Sequence, residues 1–507
     1  MSEQSKEFLS SIGSLIHQLR EEKGVTQQAF AKELGSTQSA VARIEAGQQN
    51  ISAEMLSRIS NVLGRDLVSL STGALNVEVT GGKKLSGSVT TKTSKNAAVA
   101  LLAASLLNKS TTTLHLVPQI EEVNRLIEVL ESIGVAIKRE GSTVIITPPA
   151  KFTFSAMNRE AGARTRSVIL FIGSLIHRVR SFSLPQAGGC KLGRRTIKPH
   201  LYALEEFGVS IETARDRYKI THTKKKPVEV ILYESGDTVT ENALMAAALT
   251  PGVTTIKYAS ANYQVQDLCF FLEHLGVAID GIGTTTLSVH GVEEINTPTS
   301  YTLAEDPIES MFFIAAAAVT RSAITIKRCP IEFLELELLT LEKMGFSYKA
   351  SKPYFSYNER TKLVDITTRP SKLVALDDKI APRPYPGLNI DNLPFFGVIA
   401  TQAEGQTLIH DWVYEDRAIY LKELDKLGAE TLFADPHRIY VTGRTPLKPT
   451  EIVCPPALRP GAVILIAMLA AEGTSTLRNI YSINRGYEDI VKRLNGLGAD
   501  IQFLRSV

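Results

Sequence analysis

Cysteine is scarce in this chain of 507 residues. The four present, Cys190, Cys269, Cys329 and Cys454, lie far apart and include no CxxC pair. That spacing excludes a disulfide framework and a zinc ribbon, and it fits a reducing, cytoplasmic compartment. No apolar run is long enough to cross a bilayer; the longest, such as 462–471, fall well short of the ~20 residues a spanning helix needs. The N-terminus lacks the charged-then-apolar pattern of an export signal. Neither sign of charge is in excess: 56 Lys and Arg against 53 Asp and Glu leave +3, so the chain as a whole is not built as a polycation for nucleic acid or membrane. What is present is a globular balance, 44% hydrophobic and 21% charged, in a chain too long for one ordinary core. Two to four domains and a cytoplasmic enzyme are the expectation.

Residues 11–63 have the pattern of short, closely spaced helices. Ile12, Leu15, Ile16 and Leu19 recur at helical spacing. Gly24 stops that helix and Thr26 can cap the next, 27–34. A third helix, 37–45, turns Val41 and Ile44 inward and Gln38, Ser39 and Arg43 outward, and a fourth spans 53–63. The string TQQAFAKELGSTQSAVARIEAG within this stretch resembles the helix-turn-helix of the phage-repressor family. The resemblance implies an all-α domain over 1–70 that binds double-stranded DNA through residues 11–63, with the helix 37–45 in a major groove. Gln38 and Ser39 would then meet base edges, and Arg43 a phosphate or base. Residues 1–72 hold seven Lys and Arg against eight Asp and Glu. A net charge of −1 gives one copy little attraction for phosphates, so two copies acting as a dimer are expected. A short linker is expected at 65–75.

Beyond that linker the chain repeats itself. IEVLESIGVAI, LYALEEFGVSI, CFFLEHLGVAI, LTLEKMGFSY, LKELDKLGAET and VKRLNGLGADI each join an amphipathic helix to a strand through a glycine: Gly134, Gly208, Gly276, Gly345, Gly428 and Gly498. The spacing is roughly 70 residues, with one longer interval before Gly428. Each glycine falls where a helix ends in a left-handed turn. Six small α/β modules therefore make up the body. Two lobes of three modules, with a ligand cleft between them, is the simplest packing.

Candidate chemistry sits at the module edges. Gly188-Gly189-Cys190-Lys191-Leu192-Gly193-Arg194-Arg195 combines a turn-forming backbone, a thiol and three cations. Cations favour the thiolate and also grip phosphate. Lys95 stands at the start of an apolar helix expected at 97–107, where free N–H groups attract anions. Arg164-Thr165-Arg166 precedes the apolar run 168–176, Arg459 precedes a helix at 462–471, and Asp391-Asn392 precedes another apolar run. Asp306 and Glu309 begin the run 308–319, and Tyr414-Glu415-Asp416-Arg417 starts the helix that ends at Gly428.

From about residue 75 onward these motifs taken together resemble the enolpyruvyl transferase family, and within it the branch that acts on UDP-N-acetylglucosamine. The matching strings are SKNAA (94–98), TRS (165–167), GGCKLGRR (188–195), TENALMAA (240–247), YEDR (414–417), ALRPGA (457–462), AAEG (470–473) and INRGYE (483–488). The resemblance implies an α/β fold of two inside-out barrel-like lobes with six repeats: 95–303 as one lobe, 75–94 plus 304–507 as the other. It implies transfer of an enolpyruvyl group from phosphoenolpyruvate to the 3-hydroxyl of UDP-N-acetylglucosamine with release of phosphate, a step of cell-wall precursor synthesis that needs no metal or cofactor. Lys95, Arg166, Arg195 and Arg459 would bind phosphoenolpyruvate. Asp391 would act as base and Cys190 as proton donor, with Lys95 as a third catalytic group. Asn96, Asp391, Tyr414 and Arg417 would hold the sugar nucleotide. The epoxide fosfomycin alkylates the family's loop cysteine.

The chain departs from the family pattern at several points. Thr196-Ile197-Lys198-Pro199-His200 stands where the family usually reads Pro-Val-Asp-Leu-His, so a cation replaces an acceptor carboxylate. Pro307 replaces an arginine and Ala457 an aspartate. Asp237 and Thr238 replace small residues near the family's diphosphate site. Three readings stay open: a cell-wall precursor enzyme carrying a DNA-binding module, a transcriptional regulator that uses the fold as a ligand sensor, and an enolpyruvyl transferase with another acceptor.

Overall fold

A computed structural model describes residues 3–49, 51–63, 75–186, 196–214, 216–223, 225–414 and 417–504. The glycine-rich loop with Cys190 and Arg195, most of the expected linker, and Glu415 and Asp416 lie outside the described residues. The chain divides into two compact units. One is Met1–Glu78 with Leu477–Tyr481 and Phe503–Val507; the other is Val79–Thr476 with Ser482–Gln502.

The described part of residues 1–75 in the first unit folds as the helices α1 (Glu3–Glu22), α2 (Gln27–Glu33), α3 (Gln38–Glu45) and α4 (Ala53–Leu63). Thr26 and Thr37 accept hydrogen bonds from Ala29 N and Ala40 N, so each is an N-cap outside its helix. Thr37 therefore precedes α3 rather than opening it. Ile12, Ile16, Leu19, Phe30, Leu34, Val41, Ile44 and Ile59 form the core, as the helical spacing predicts. An ion cluster is buried with them. Arg20 donates to Glu45 through Nε at 2.6 Å and Nη2 at 3.0 Å, and Gln27 Nε2 donates to the same carboxylate at 2.9 Å. This ties α1 and α2 to α3.

The second unit is built from the repeats. All six repeat glycines have positive φ, from 76° at Gly208 to 98° at Gly134, a conformation that costs a side-chain-bearing residue roughly 1 kcal/mol or more. A strand follows each turn: Ala136–Glu140, Val209–Thr213, Ala278–Asp280, Ser347–Ala350, Glu430–Asp435 and Asp500–Leu504. Each belongs to a different one of six small sheets among the described residues. In the first, Thr299–Thr302 pairs parallel with Thr112–His115, which pairs antiparallel with Thr143–Thr147, and that in turn with Ala136–Glu140. The same parallel-then-antiparallel order recurs where Glu229–Ile231 joins Gly252–Lys257, where Ser86–Thr90 joins Ala323–Pro330, and where Leu373–Val374 joins Ala403–His410. The pairing of Ser86–Thr90 with Ala323–Pro330 spans over 200 residues of chain.

The helices beneath the sheets are α5 (Lys95–Ala104), α6 (Glu121–Ser132), α7 (Asp237–Ala248), α8 (Tyr263–His274), α9 (Pro307–Val319), α10 (Glu335–Lys343), α11 (Leu393–Ala400) and α12 (Leu458–Ala470). Of these, α5, α9, α11 and α12 are apolar nearly all round, which is why they lie inside, whereas α6 and α10 are amphipathic and bury one face. Every residue of α9 and α11 is buried. The helices α9, α11 and α12 pack on one another, and α5 packs on α8. Sheets outside and apolar helices inside is the inside-out arrangement that the family resemblance implies. Several bounds differ from expectation. Lys95 and Arg459 lie in the first turns of α5 and α12 rather than before them. The segment Ala418–Leu427 is 3-10 rather than α-helical, and the run from 166 begins as a 3-10 turn, Arg166–Leu170.

Candidate active site

Asp391 lies two residues before α11, in a turn closed by Asn389 Oδ1, which accepts from Asp391 N at 2.8 Å. Its carboxylate faces two guanidinium groups. Arg459 Nη2 donates to Oδ2 at 3.3 Å, and Arg417 Nη1 lies 3.9 Å from Oδ1. Arg459 is brought there because α12 begins at Leu458, and Ala457 at its N-cap offers no capping side chain. The first N–H groups of that helix and the guanidinium thus form an anion-attracting end. Burial opposes the charge of Arg459, but Tyr487, Asp391 and Asp306 raise its pKa above the ordinary value, so it stays cationic. Tyr487 also accepts from Arg459 Nη1 at 2.8 Å. Asp306 caps α9 through Ile308 N at 2.8 Å; burial pushes its carboxyl up to about 6, with Arg459 opposing the rise.

A second cation stands at α5. Ser94 caps this helix, placing Lys95 in its first turn. Lys95 Nζ donates to Glu122 Oε2 at 2.8 Å, and Glu122 Oε1 accepts from Thr165 Oγ1 at 3.2 Å and Ser167 Oγ at 2.8 Å. Burial disfavours the Glu122 charge, yet Lys95, with Arg485 and Ser167, holds its pKa down to about 2. The two hydroxyls flanking Arg166 thus fix the carboxylate that fixes Lys95. Arg166 Nη2 donates to Thr196 O at 3.0 Å.

The two cation groups meet at Tyr263. Asn96 Nδ2 donates to Tyr263 Oη at 3.0 Å. Burial, together with Asp306 and Asp391, raises the Tyr263 pKa well above the ordinary value, while Ser94 and Arg459 oppose this. At the first turn of α7, Asp237 accepts from Ser260 Oγ at 2.5 Å and Asn262 Nδ2 at 3.1 Å. Burial raises its pKa, and the Asp391 charge adds to the rise. One turn on, burial and Asp237 push Glu241 up to about 8.

Of the residues expected to carry chemistry, Lys95, Asn96, Arg166, Asp391, Tyr414, Arg417 and Arg459 join this network. Arg417 stands 4.7 Å from the Tyr414 ring and is committed to protein groups: Asp411 Oδ2 at 2.6 Å and Ile390 O at 2.9 Å. Sequence reasoning missed Glu122 and Tyr263, and it named Arg485 and Tyr487 only within the INRGYE string. Arg485 Nε is buried without a hydrogen-bond partner among the described residues. No spacing rule singles out Glu122, which looks like any acidic residue in a helix's first turn. In the first unit, Gln38, Ser39 and Arg43 are exposed on α3, with Arg43 Nε donating to Gln49 Oε1 at 3.1 Å.

Buried apolar helices, outer sheets and cations gathered around an acid make an α/β body with an anion-attracting site. Residues 79–494 match the family model described as EPSP synthase (3-phosphoshikimate 1-carboxyvinyltransferase), and residues 16–70 match the helix-turn-helix model. The chain belongs to the enolpyruvyl transferase family represented by the first of these. It is 34% identical over 431 residues to a UDP-N-acetylglucosamine 1-carboxyvinyltransferase from Bradyrhizobium diazoefficiens, covering 84% of this chain and 97% of the relative. A protein of the same name from Treponema denticola is 32% identical, covering 84% and 98%. Among solved structures, the enolpyruvyl transferase NikO from Streptomyces tendae superimposes with a TM-score of 0.73 at 25% identity, covering 86% of this chain and all of that one.

Proposed function

We propose that this protein transfers the enolpyruvyl group of phosphoenolpyruvate to the 3-hydroxyl of UDP-N-acetylglucosamine, releasing phosphate, in the cytoplasm and as a step of cell-wall precursor synthesis. The observation that carries the reading is Asp391 beside the buried, permanently charged Arg459 at the start of α12. An acid–base group beside an anion-attracting end supports the reading. Lys95, Arg166, Arg195 and Arg459 bind the phosphate and carboxylate of phosphoenolpyruvate, and Arg485 adds a fifth cation. Asn96, Tyr414 and Arg417 hold the acceptor or its surroundings. Asp391 takes the proton of the 3-hydroxyl as its oxygen bonds to C2, and Cys190 supplies a proton to C3. The tetrahedral intermediate then loses a proton from C3 as the C2–O bond to phosphate breaks. Fixed positive charge stabilises the leaving phosphate.

The body works as two lobes, 95–303 and 75–94 plus 304–507. One continuous hydrophobic cluster from Ala98 to Leu303, and the pairing of Ser86–Thr90 with Ala323–Pro330, support that division. Residues 1–70 bind double-stranded DNA as a dimer through Gln38, Ser39 and Arg43 on α3.

A phosphate-release assay with phosphoenolpyruvate and UDP-N-acetylglucosamine tests the enzyme reading. Turnover by the parent protein is expected, with a fall of about 10²-fold or more in kcat for Arg459→Ala. A parent protein that releases no phosphate with this acceptor overturns the reading.

A further inference from the structure

Asp391 meets its two arginines through its carboxylate. Its main-chain N–H is set by another group. Asn389 Oδ1 accepts from Asp391 N, and that bond fixes which way the Asn389 amide faces, because the reversed amide would set two donors against each other. Asn389 Nδ2 must then point away, and it donates to Asn262 Oδ1 at 3.4 Å. The Asn262 amide is fixed in the same manner, since its Oδ1 also accepts from Tyr263 N at 2.9 Å as the N-cap of α8. Asn262 Nδ2 therefore faces Asp237, to which it donates at 3.1 Å. The result is a directed chain: Asp391 N to Asn389, Asn389 to Asn262, Asn262 to the buried Asp237 carboxylate.

This chain crosses between the proposed lobes. Asp237 and Asn262 belong to the first, Asn389 and Asp391 to the second. The turn is also anchored within the second lobe, where the buried Glu337 of α10 accepts from Asn389 N and Asn392 Nδ2, both at 2.9 Å. Aromatic rings meet across the same boundary. Tyr263 packs edge-on against Phe333 with centroids 5.9 Å apart, and Phe333 lies 5.1 Å from Tyr385. Glu337 fixes the turn to its own lobe, and the Asn389–Asn262 bond ties it to the other.

We propose that Asn262 and Asn389, anchored on Asp237, are positioning residues that hold Asp391 in its reactive place when the lobes are together. The proposal rests on the reading of Asp391 as the base. Closure of the cleft and alignment of the base become one event, because the bond that links the lobes is also the bond that orients the Asp391 turn. A misplacement on the order of 1 Å at a reacting group costs up to ~10²-fold in rate.

Serine substitutions isolate the link. Asn262→Ser keeps an N-cap oxygen for α8, and Asn389→Ser keeps an acceptor for the Asp391 amide, but neither hydroxyl spans to the next member of the chain. Each variant is expected to lose about tenfold in kcat, with KM for phosphoenolpyruvate within about twofold of the parent. The double variant is expected to be no slower than the slower single, since groups acting as one unit are not additive. A loss of less than about threefold in either single, or losses that multiply in the double, overturns the inference while the transferase reading stands. An inactive parent protein removes both. If one variant fails to fold, the other carries the same test through its kcat and KM.

Discussion

Glu122 illustrates how a residue without a sequence signature sets the behaviour of one that has it. Its carboxylate accepts from Lys95, Thr165 and Ser167, so Lys95 cannot swing away from the site. The folded-state pKa is about 2 against an ordinary 4.5. A depressed acid pKa means that the stabilisation is fully present above about 4.5 and is lost as pH falls from there towards 2. Glu122→Gln is expected to lower stability at pH 7 by about 2 kcal/mol, because it leaves Lys95 without its partner. The gap between variant and parent in denaturant melts is expected to shrink below pH 4.5; a gap that is constant with pH contradicts the assignment. Reactivity of the thiols follows the same local logic. Cys269, Cys329 and Cys454 are buried, and burial pushes Cys329 up to about 12 and Cys269 higher still. Cys190 instead has Lys191, Arg194 and Arg195 beside it in sequence, which favour its thiolate. Peptide mapping after fosfomycin treatment is expected to find the label on Cys190, and Cys190→Asp is expected to resist the drug. Label appearing first on any of the other three refutes this.

Elements were legible wherever one physical rule decided them. The six glycine turns could be read because only a left-handed residue ends those helices so tightly, and α9, α11 and α12 because an apolar run of their length has to be buried. Their first turns were less legible. Lys95 and Arg459 fall inside their helices since Ser94 and Ala457 occupy the cap positions, a distinction of one or two residues that periodicity does not resolve. The polar contacts between elements were not legible, because they join residues far apart in the chain: Lys95 to Glu122, Asn262 to Asn389, Arg20 to Glu45. The last of these makes a prediction for the helical unit. Burial works against the Glu45 charge, but Arg20, Gln27 and His17 hold its pKa below the ordinary value. Glu45→Gln leaves Arg20 charged and buried with a weakened partner, at a cost of about 2 kcal/mol. Amide hydrogens of α1 and α3 that exchange through opening of this unit are then expected to exchange roughly thirtyfold faster. An unchanged exchange rate would show the ion cluster to be dispensable for holding α1 against α3.

At the scale of the whole molecule, two kinds of machinery lie on one chain, and the sequence separates them cleanly. The site network begins at Lys95, whereas Gln38, Ser39 and Arg43 lie on α3. Removing residues 1–70 is therefore expected to abolish DNA binding and leave phosphate release nearly intact. The charge of the N-terminal stretch, seven basic against eight acidic residues, sets how binding must work. A duplex is bound mainly through neutralised phosphates, and one such module neutralises few. On the proposed reading, affinity is expected to come from two copies on two half-sites spaced by a helical turn or a multiple of it. Gln38→Ala is expected to weaken specific binding far more than binding to random duplex, because a lost base contact removes discrimination while phosphate contacts remain. Arg43→Ala is expected to weaken both if its guanidinium leaves Gln49 for a phosphate, and to lower the dependence of binding on salt. Mobility shifts on fragments of the protein's own promoter region at several salt concentrations measure all of these together. A full-length protein that shifts no fragment even at low salt rules out DNA binding and leaves self-association or docking as the work of α1–α4.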